Sequence, residues 1–227
     1  MTERPILFSA PMVRALLDGS KMQTRRVVKD LPAWEITEIC HDAACTGKWM
    51  PNGPAPSGRG MAAGHWRLCP HGQAGDRLWV RETFIAFGRW ETRYSAKKGR
   101  DEWHFVDMTV ECDRVYQHAA SAPDVPLATG RGGMLGWWKR PGIFMPRAAC
   151  RIVLDVVAIR AERLNDISEA DAVAEGWPRR PEVSDDPHVH ADVARDWYID
   201  LWGQINGAGS WSTNPWVWAI EFKRVTS

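Results

Sequence analysis

Apolar residues Val13, Leu16 and Leu17 in "SAPMVRALLDG" recur at helical spacing and predict a helix. Ser9 or Ala10 caps it, Pro11 sits in its first turn and Gly19 stops it. Ahead of it, "PILF" (5–8) reads as a short strand. "GDRLWVRETF" opens with a turn at Gly75-Asp76 and then alternates, with Leu78, Val80 and Phe84 on one face and Arg77, Trp79, Arg81 and Thr83 on the other. Glu82 falls on the apolar face, where an ionised carboxylate needs a partner. "RIVLDVVAIRAERL" alternates over nearly its whole length and is the clearest strand. In "NDISEADAVAEGW", Ser168 and Asp171 fit a capping box and Gly176 closes a short helix.

Past a Pro- and His-bearing loop (178–190), "ADVARDWYIDLWG" spaces Val193, Ala194, Trp197, Tyr198 and Leu201 helically up to Gly203. "NPWVWAIEFKRV" is a closing strand with Trp216, Trp218, Ile220 and Phe222 on one face. Two stretches interrupt this order. Residues 31–74 are rich in Pro and Gly with little periodicity and read as an irregular insertion. Residues 88–147 are a polar, aromatic-dotted excursion expected to contain a hairpin. The order predicts one α+β domain over 1–227: a barrel-like sheet, a few short helices and two long insertions.

At 227 residues the chain can bury a core without staples. Its net charge of +1 means that any anion binding must come from local clustering. No segment has the length and apolarity of a membrane span, and "MTERPILFSAPM" has no leader pattern. Five irregularly spaced cysteines fit a reducing compartment, so a cytoplasmic location is expected. Fourteen tryptophans supply core mass or stacking surface for bases, two uses that composition does not separate.

The stretch "GSKMQTRR" holds the first candidate chemistry. Gly19 ends the helix, so the following residues are expected to leave it in a tight turn. Lys21 and Thr24, three apart, can meet if that turn is compact. A threonine hydroxyl becomes nucleophilic when a base takes its proton, and a lysine of lowered pKa is such a base. Arg25 and Arg26 offer forked recognition of an anion or carbonyl. On spacing alone, a solvated basic loop is the favoured explanation of the segment. Glu175, in the last turn of its helix, faces the negative end of the helix dipole at a cost of roughly 0.3–1 kcal/mol. A task explains it better than local stability does.

Together, "PILFSAPMVRALLDGSKMQTRR", "GDRLWVRETF", "RIVLDVVAIRAERLNDISEADAVAEGW" and "NPWVWAIEF" resemble the ASCH family, small PUA-like barrels common in bacteria and in phage and prophage genomes. The resemblance covers roughly two-fifths of the chain. It implies a PUA-like mixed β-barrel and relatedness to bacterial N4-acetylcytidine amidohydrolases. On that resemblance Lys21, Thr24 and Glu175 match the catalytic lysine, threonine and glutamate, with no cofactor or metal. Arg25, Arg26, Trp79, Arg81 and Glu82 are the expected substrate-binding residues. The implied activity is hydrolysis of an acyl amide on a modified nucleoside or base. The alternatives are a module that binds RNA or a modified base without catalysis, and a ribonuclease. Met22 stands where the family usually has threonine, and the two insertions more than double the compact enzyme's length.

Two further features compete with that picture. Cys40, His41, Cys45, Cys69 and His71 supply soft ligands in the first insertion, but their spacing matches no strong zinc pattern, so free thiols are expected. "GWWKRP" and "MPRAACR" set Trp137, Trp138, Lys139, Arg140, Arg147 and Arg151 close together, a mix suited to bases and phosphates. His188 and His190, in a polar loop, read as solvated.

Overall fold

The computed structural model describes residues 1–41, 47–130, 132–178 and 187–225, with backbone alone over 187–192. In chain order the elements begin with β1 (Glu3–Leu7), α1 (Ala10–Asp18) and β2 (Gln23–Val27). Four short strands follow: β3 (Glu38–His41), β4 (Lys48–Pro54), β5 (Met61–Ala63) and β6 (Arg67–Leu68). Next come β7 (Arg77–Arg81), β8 (Phe84–Ser95), β9 (Arg100–Asp107), β10 (Gln117–His118) and β11 (Gly136–Arg140). The chain continues with β12 (Val153–Arg163), α2 (Glu169–Ala174), α3 (Pro187–Asn206) and β13 (Trp216–Arg224). The architecture is mixed α+β, mostly strands. Among the described residues no helix is long and apolar enough to cross a membrane.

The chain divides into two compact units. The first comprises Met1–Pro5, Ala15–Trp79 and Ile152–Ser227. Its frame is a sheet of order β1-β7-β12-β13-β2. The long β12 pairs antiparallel with β13 from Leu154↔Arg224 to Arg163↔Trp216, with an irregularity between Val156 and Ala158. Alternation gives this sheet two faces. On one, Val217 packs with Leu164, Ile167, Ala172, Trp177, Ala194, Tyr198 and Trp202 beneath α2 and α3. On the other, Trp218 meets Trp49 edge-on at 5.4 Å.

Several boundaries differ from the sequence expectation. The first insertion is not irregular: β3, β4, β5 and β6 form a small antiparallel sheet. Its strands are too short to show a period, and one glycine serves close packing. A Cβ at Gly53 would collide with the carbonyl oxygen of Glu35. The segment after Gly19 is also not a loop, because Gln23–Val27 is the edge strand β2, paired with β13. Helix α3 starts at Pro187 and runs through Gly203 to Asn206. One interior glycine costs only about 1 kcal/mol, which the buried Ala194, Tyr198 and Trp202 outweigh.

The second unit comprises Ile6–Arg14 and Val80–Arg151. Its sheet has the order β10-β8-β11, with β9 pairing β8. The expected hairpin is β8–β9, in register from Gly88↔Asp107 to Ser95↔Arg100. Phe84, Ala86, Met145 and Ala149 form its core.

Candidate functional site

The turn after α1 hangs between two helix ends. Gly19 leaves α1 at φ +82°, the Lys21 amide donates to Ala15 O at 3.0 Å, and the Met22 amide donates to Ala174 O at 2.8 Å. Lys21 and Glu175 thereby form an isolated antiparallel bridge between the turn and the end of α2. Gly176, at φ +98°, makes the approach possible: a Cβ there would lie 3.1 Å from the Cβ atoms of both Ala15 and Lys21.

The side chains follow the backbone. Lys21 Nζ donates to Glu175 Oε2 and to the Glu175 carbonyl, each at 2.7 Å, with both side chains essentially excluded from solvent. Arg25 Nη1 reaches Glu175 Oε1 at 3.2 Å, and the Tyr198 hydroxyl hydrogen-bonds the same carboxylate. Around this pair the ions alternate in sign. Arg25 also holds Glu162 and Asp171, and Arg160 holds Glu162, Asp171 and Glu221. Gln23 Nε2 donates to Asp171 Oδ1 at 3.0 Å. Each of these charges has a counter-charge, which burial demands of Lys21, Arg25 and Glu175.

Burial, the largest influence, holds the Lys21 pKa below the usual lysine value; the Glu175 carboxylate opposes the shift, while Arg26 and Arg25 add to it. Arginine repulsion is thus secondary to burial. Tyr198 is raised well above the usual phenol value by burial and by Glu175. Asp171 is lowered to about 2: burial pushes it upward, but hydrogen bonds from Gln23 and Arg160 and the nearby arginine charges prevail.

The other expected residues are dispersed. Thr24 is 3 % exposed and pairs opposite Ile220, on the face of β2 away from Gln23 and Arg25. The compact turn that was to join Thr24 to Lys21 is replaced by strand alternation. Arg26 shares the Thr24 face; with Arg4, it helps lower His71 to about 4, after burial as the chief cause. Trp79 lies in β7 opposite Val153. Arg81 and Glu82 belong to the second unit. There, Arg81 Nε donates to Gly142 O at 2.9 Å, and Glu82 receives Arg151 Nε at 2.8 Å and Nη2 at 3.0 Å.

Of the thiols considered for zinc, Cys40 Sγ accepts from Asn52 Nδ2 at 2.9 Å, and Cys69 is buried, its pKa pushed up to about 11. Cys45 lies outside the described residues. Among the described residues no three metal-ligating side chains cluster.

Sequence reasoning missed Arg160, Glu162, Glu221 and Tyr198, and took Asp171 only as a cap. Arg160 and Glu162 are two apart on β12 and so share a face, a charged pair inside an apolar strand that marked it as covered by something polar. A cavity of about 260 Å³ opens beside Lys21, lined also by Leu16, Gly19, Met22, Phe222 and Arg224. It lies just below the ~300–1,000 Å³ typical of ligand pockets, a size for a small ligand. The chain matches no family model, no curated protein and no solved structure.

Proposed function

We propose that this chain is an ASCH-type, PUA-like cytoplasmic protein that hydrolyses an acyl amide on a modified nucleoside or base. The observation that carries the reading is the solvent-excluded Lys21–Glu175 pair beside a small cavity. A lysine whose pKa is lowered by burial, hydrogen-bonded to a carboxylate, is suited to proton transfer. The ASCH resemblance assigns the attacking hydroxyl to Thr24. Its oxygen adds to the acyl carbon as neutral Lys21 takes its proton, and Glu175 passes a proton to the leaving amine as the C–N bond breaks. Water then cleaves the acyl-threonine ester to free the acid and the hydroxyl.

The test is incubation with N4-acetylcytidine and related acylated nucleosides, with chromatography for the deacylated product. Turnover lost in Lys21→Ala and Thr24→Ala, and kept in part in Thr24→Ser, supports the hydrolase. A second reading, base binding without catalysis, is favoured by one observation: Thr24 lies on the face of β2 opposite the ion network. It predicts calorimetric binding of the nucleoside with no product from any variant.

A further inference from the structure

We propose that Tyr198 of α3 is a positioning residue for the Lys21–Glu175 pair: its hydroxyl, together with Arg25, holds the Glu175 carboxylate and so eases loss of the proton from Lys21. As a role in catalysis this rests on the hydrolase reading above. Tyr198 lies one turn from both Ala194 and Trp202 on the buried stripe of α3 and is 3 % exposed. The Trp202 and Trp211 ring centroids stand 6.2 and 6.3 Å from its own, so the ring is fixed by packing. The Arg25 guanidinium lies over its face, 5.9 Å from the centroid, and its hydroxyl hydrogen-bonds Glu175. One side chain thus braces both members of the Arg25 Nη1–Glu175 Oε1 contact, which is 3.2 Å long. The other carboxylate oxygen, Oε2, accepts from Lys21 Nζ at 2.7 Å.

Burial favours the neutral amine of Lys21, and the Glu175 carboxylate favours the ammonium. The balance depends on how much of the carboxylate's charge other donors satisfy. When Lys21 becomes neutral, Arg25 and Tyr198 remain as the donors to Glu175, so they stabilise that state more than the ion pair. The chief charges acting on Lys21 are Glu175 at the end of α2 and Arg25 and Arg26 of β2, and the same three act on Tyr198. Glu162 and Asp171 are engaged by Arg25 and Arg160 instead. Burial and Glu175 keep the phenol protonated well beyond its usual range, so Tyr198 stays a donor while Lys21 titrates.

The experiment is a pH titration of the full chain labelled with ¹³C-lysine, reading the Cε resonance of Lys21, which is assigned by its loss in Lys21→Met. Tyr198→Phe keeps the ring against Trp202 and Trp211 and removes only the hydroxyl. The Lys21 midpoint is expected to rise in this variant by roughly half a pH unit or more. A purely structural tyrosine would leave it in place. Fluorotyrosine at the chain's three tyrosines makes a more acidic, stronger donor, and the midpoint is expected to fall. Tyr94 and Tyr116 belong to the second unit, so this response is read as that of Tyr198. A midpoint unmoved or lowered in folded Tyr198→Phe overturns the proposal. Should that variant fail to fold, a midpoint unmoved in the fluorotyrosine protein overturns it. The titration uses no substrate, so absence of turnover on acylated nucleosides counts against the hydrolase reading alone. Where turnover is found, the acid limb of kcat/KM moves upward with the midpoint in Tyr198→Phe, and a limb that stays in place overturns the role in catalysis.

Discussion

The ammonium of Lys21 and the carboxylate of Glu175 lie 2.7 Å apart although 154 positions separate them in the chain. The two partners are not equivalent. Glu175 serves Lys21, Arg25 and Tyr198, whereas the Lys21 ammonium donates to the Glu175 carboxylate and carbonyl. Glu175→Ala therefore takes the buried Lys21 ammonium's carboxylate away, while Arg25 keeps Glu162 and Asp171, and is expected to destabilise by about 3–5 kcal/mol. Lys21→Met, which leaves Glu175 with Arg25 and Tyr198, should cost distinctly less. Urea unfolding of both variants checks the order.

Gly176→Ala tests the approach that brings the pair together. The substitution places a side chain at φ +98° and a Cβ 3.1 Å from Lys21 Cβ. Strain and crowding add, so a loss of about 1–3 kcal/mol is expected, together with loss of any nucleoside turnover. A thermal midpoint equal to the parent's would contradict the tight packing.

His71 predicts a stability limb in mild acid. Its pKa is lowered to about 4 in the folded chain from an ordinary 6.5, so the unfolded state binds more protons between these values. The stability it contributes is complete above pH 6.5 and is lost as pH falls to 4, by roughly 3 kcal/mol in all. His71→Phe should flatten denaturant stability across this window.

Asp171 acts lower on the scale. Its pKa falls from 3.8 to about 2, so its contribution is present above pH 3.8 and lost as pH drops through 2. Asp171→Asn should remove that acid limb and leave the His71 limb in place. Stability measured against pH for the two single variants separates them.

Glu82 is 1 % exposed and receives both bonds from Arg151, whose side chain is 28 % exposed. Removing the wetter partner is the worse change, because it leaves the buried carboxylate unpaired. Arg151→Ala is expected to cost about 3–5 kcal/mol and Glu82→Ala less, read by chemical denaturation. Unchanged unfolding in Arg151→Ala would mean that water reaches the pair.

Much of this was legible in the sequence for specific physical reasons. Gly19 and Gly176 announced helix ends because both positions need positive φ. The Ser168–Asp171 box announced α2, since capping is a local interaction. Glu82 announced its need for a cation because it broke an apolar alternation. What stayed hidden was set by distant chain. The segment "QTRRV" is polar up to its last residue and looked like a loop; it is a strand because β13 offers an edge and because Arg25 finds the carboxylates of Glu162, Asp171 and Glu175. The opposed faces of Thr24 and Arg25 follow from that pairing, which no local spacing records.

Asp171 both caps α2 and holds Arg25 of β2 and Arg160 of β12. A six-residue helix has too few turns to persist alone, because nucleation costs more than its few hydrogen bonds return. Its lifetime is therefore that of the strands whose arginines grip its first turn. Amide protons of α2 and β2 should accordingly exchange with solvent at one common rate, through a single opening that releases Glu175 and Lys21 at the same moment.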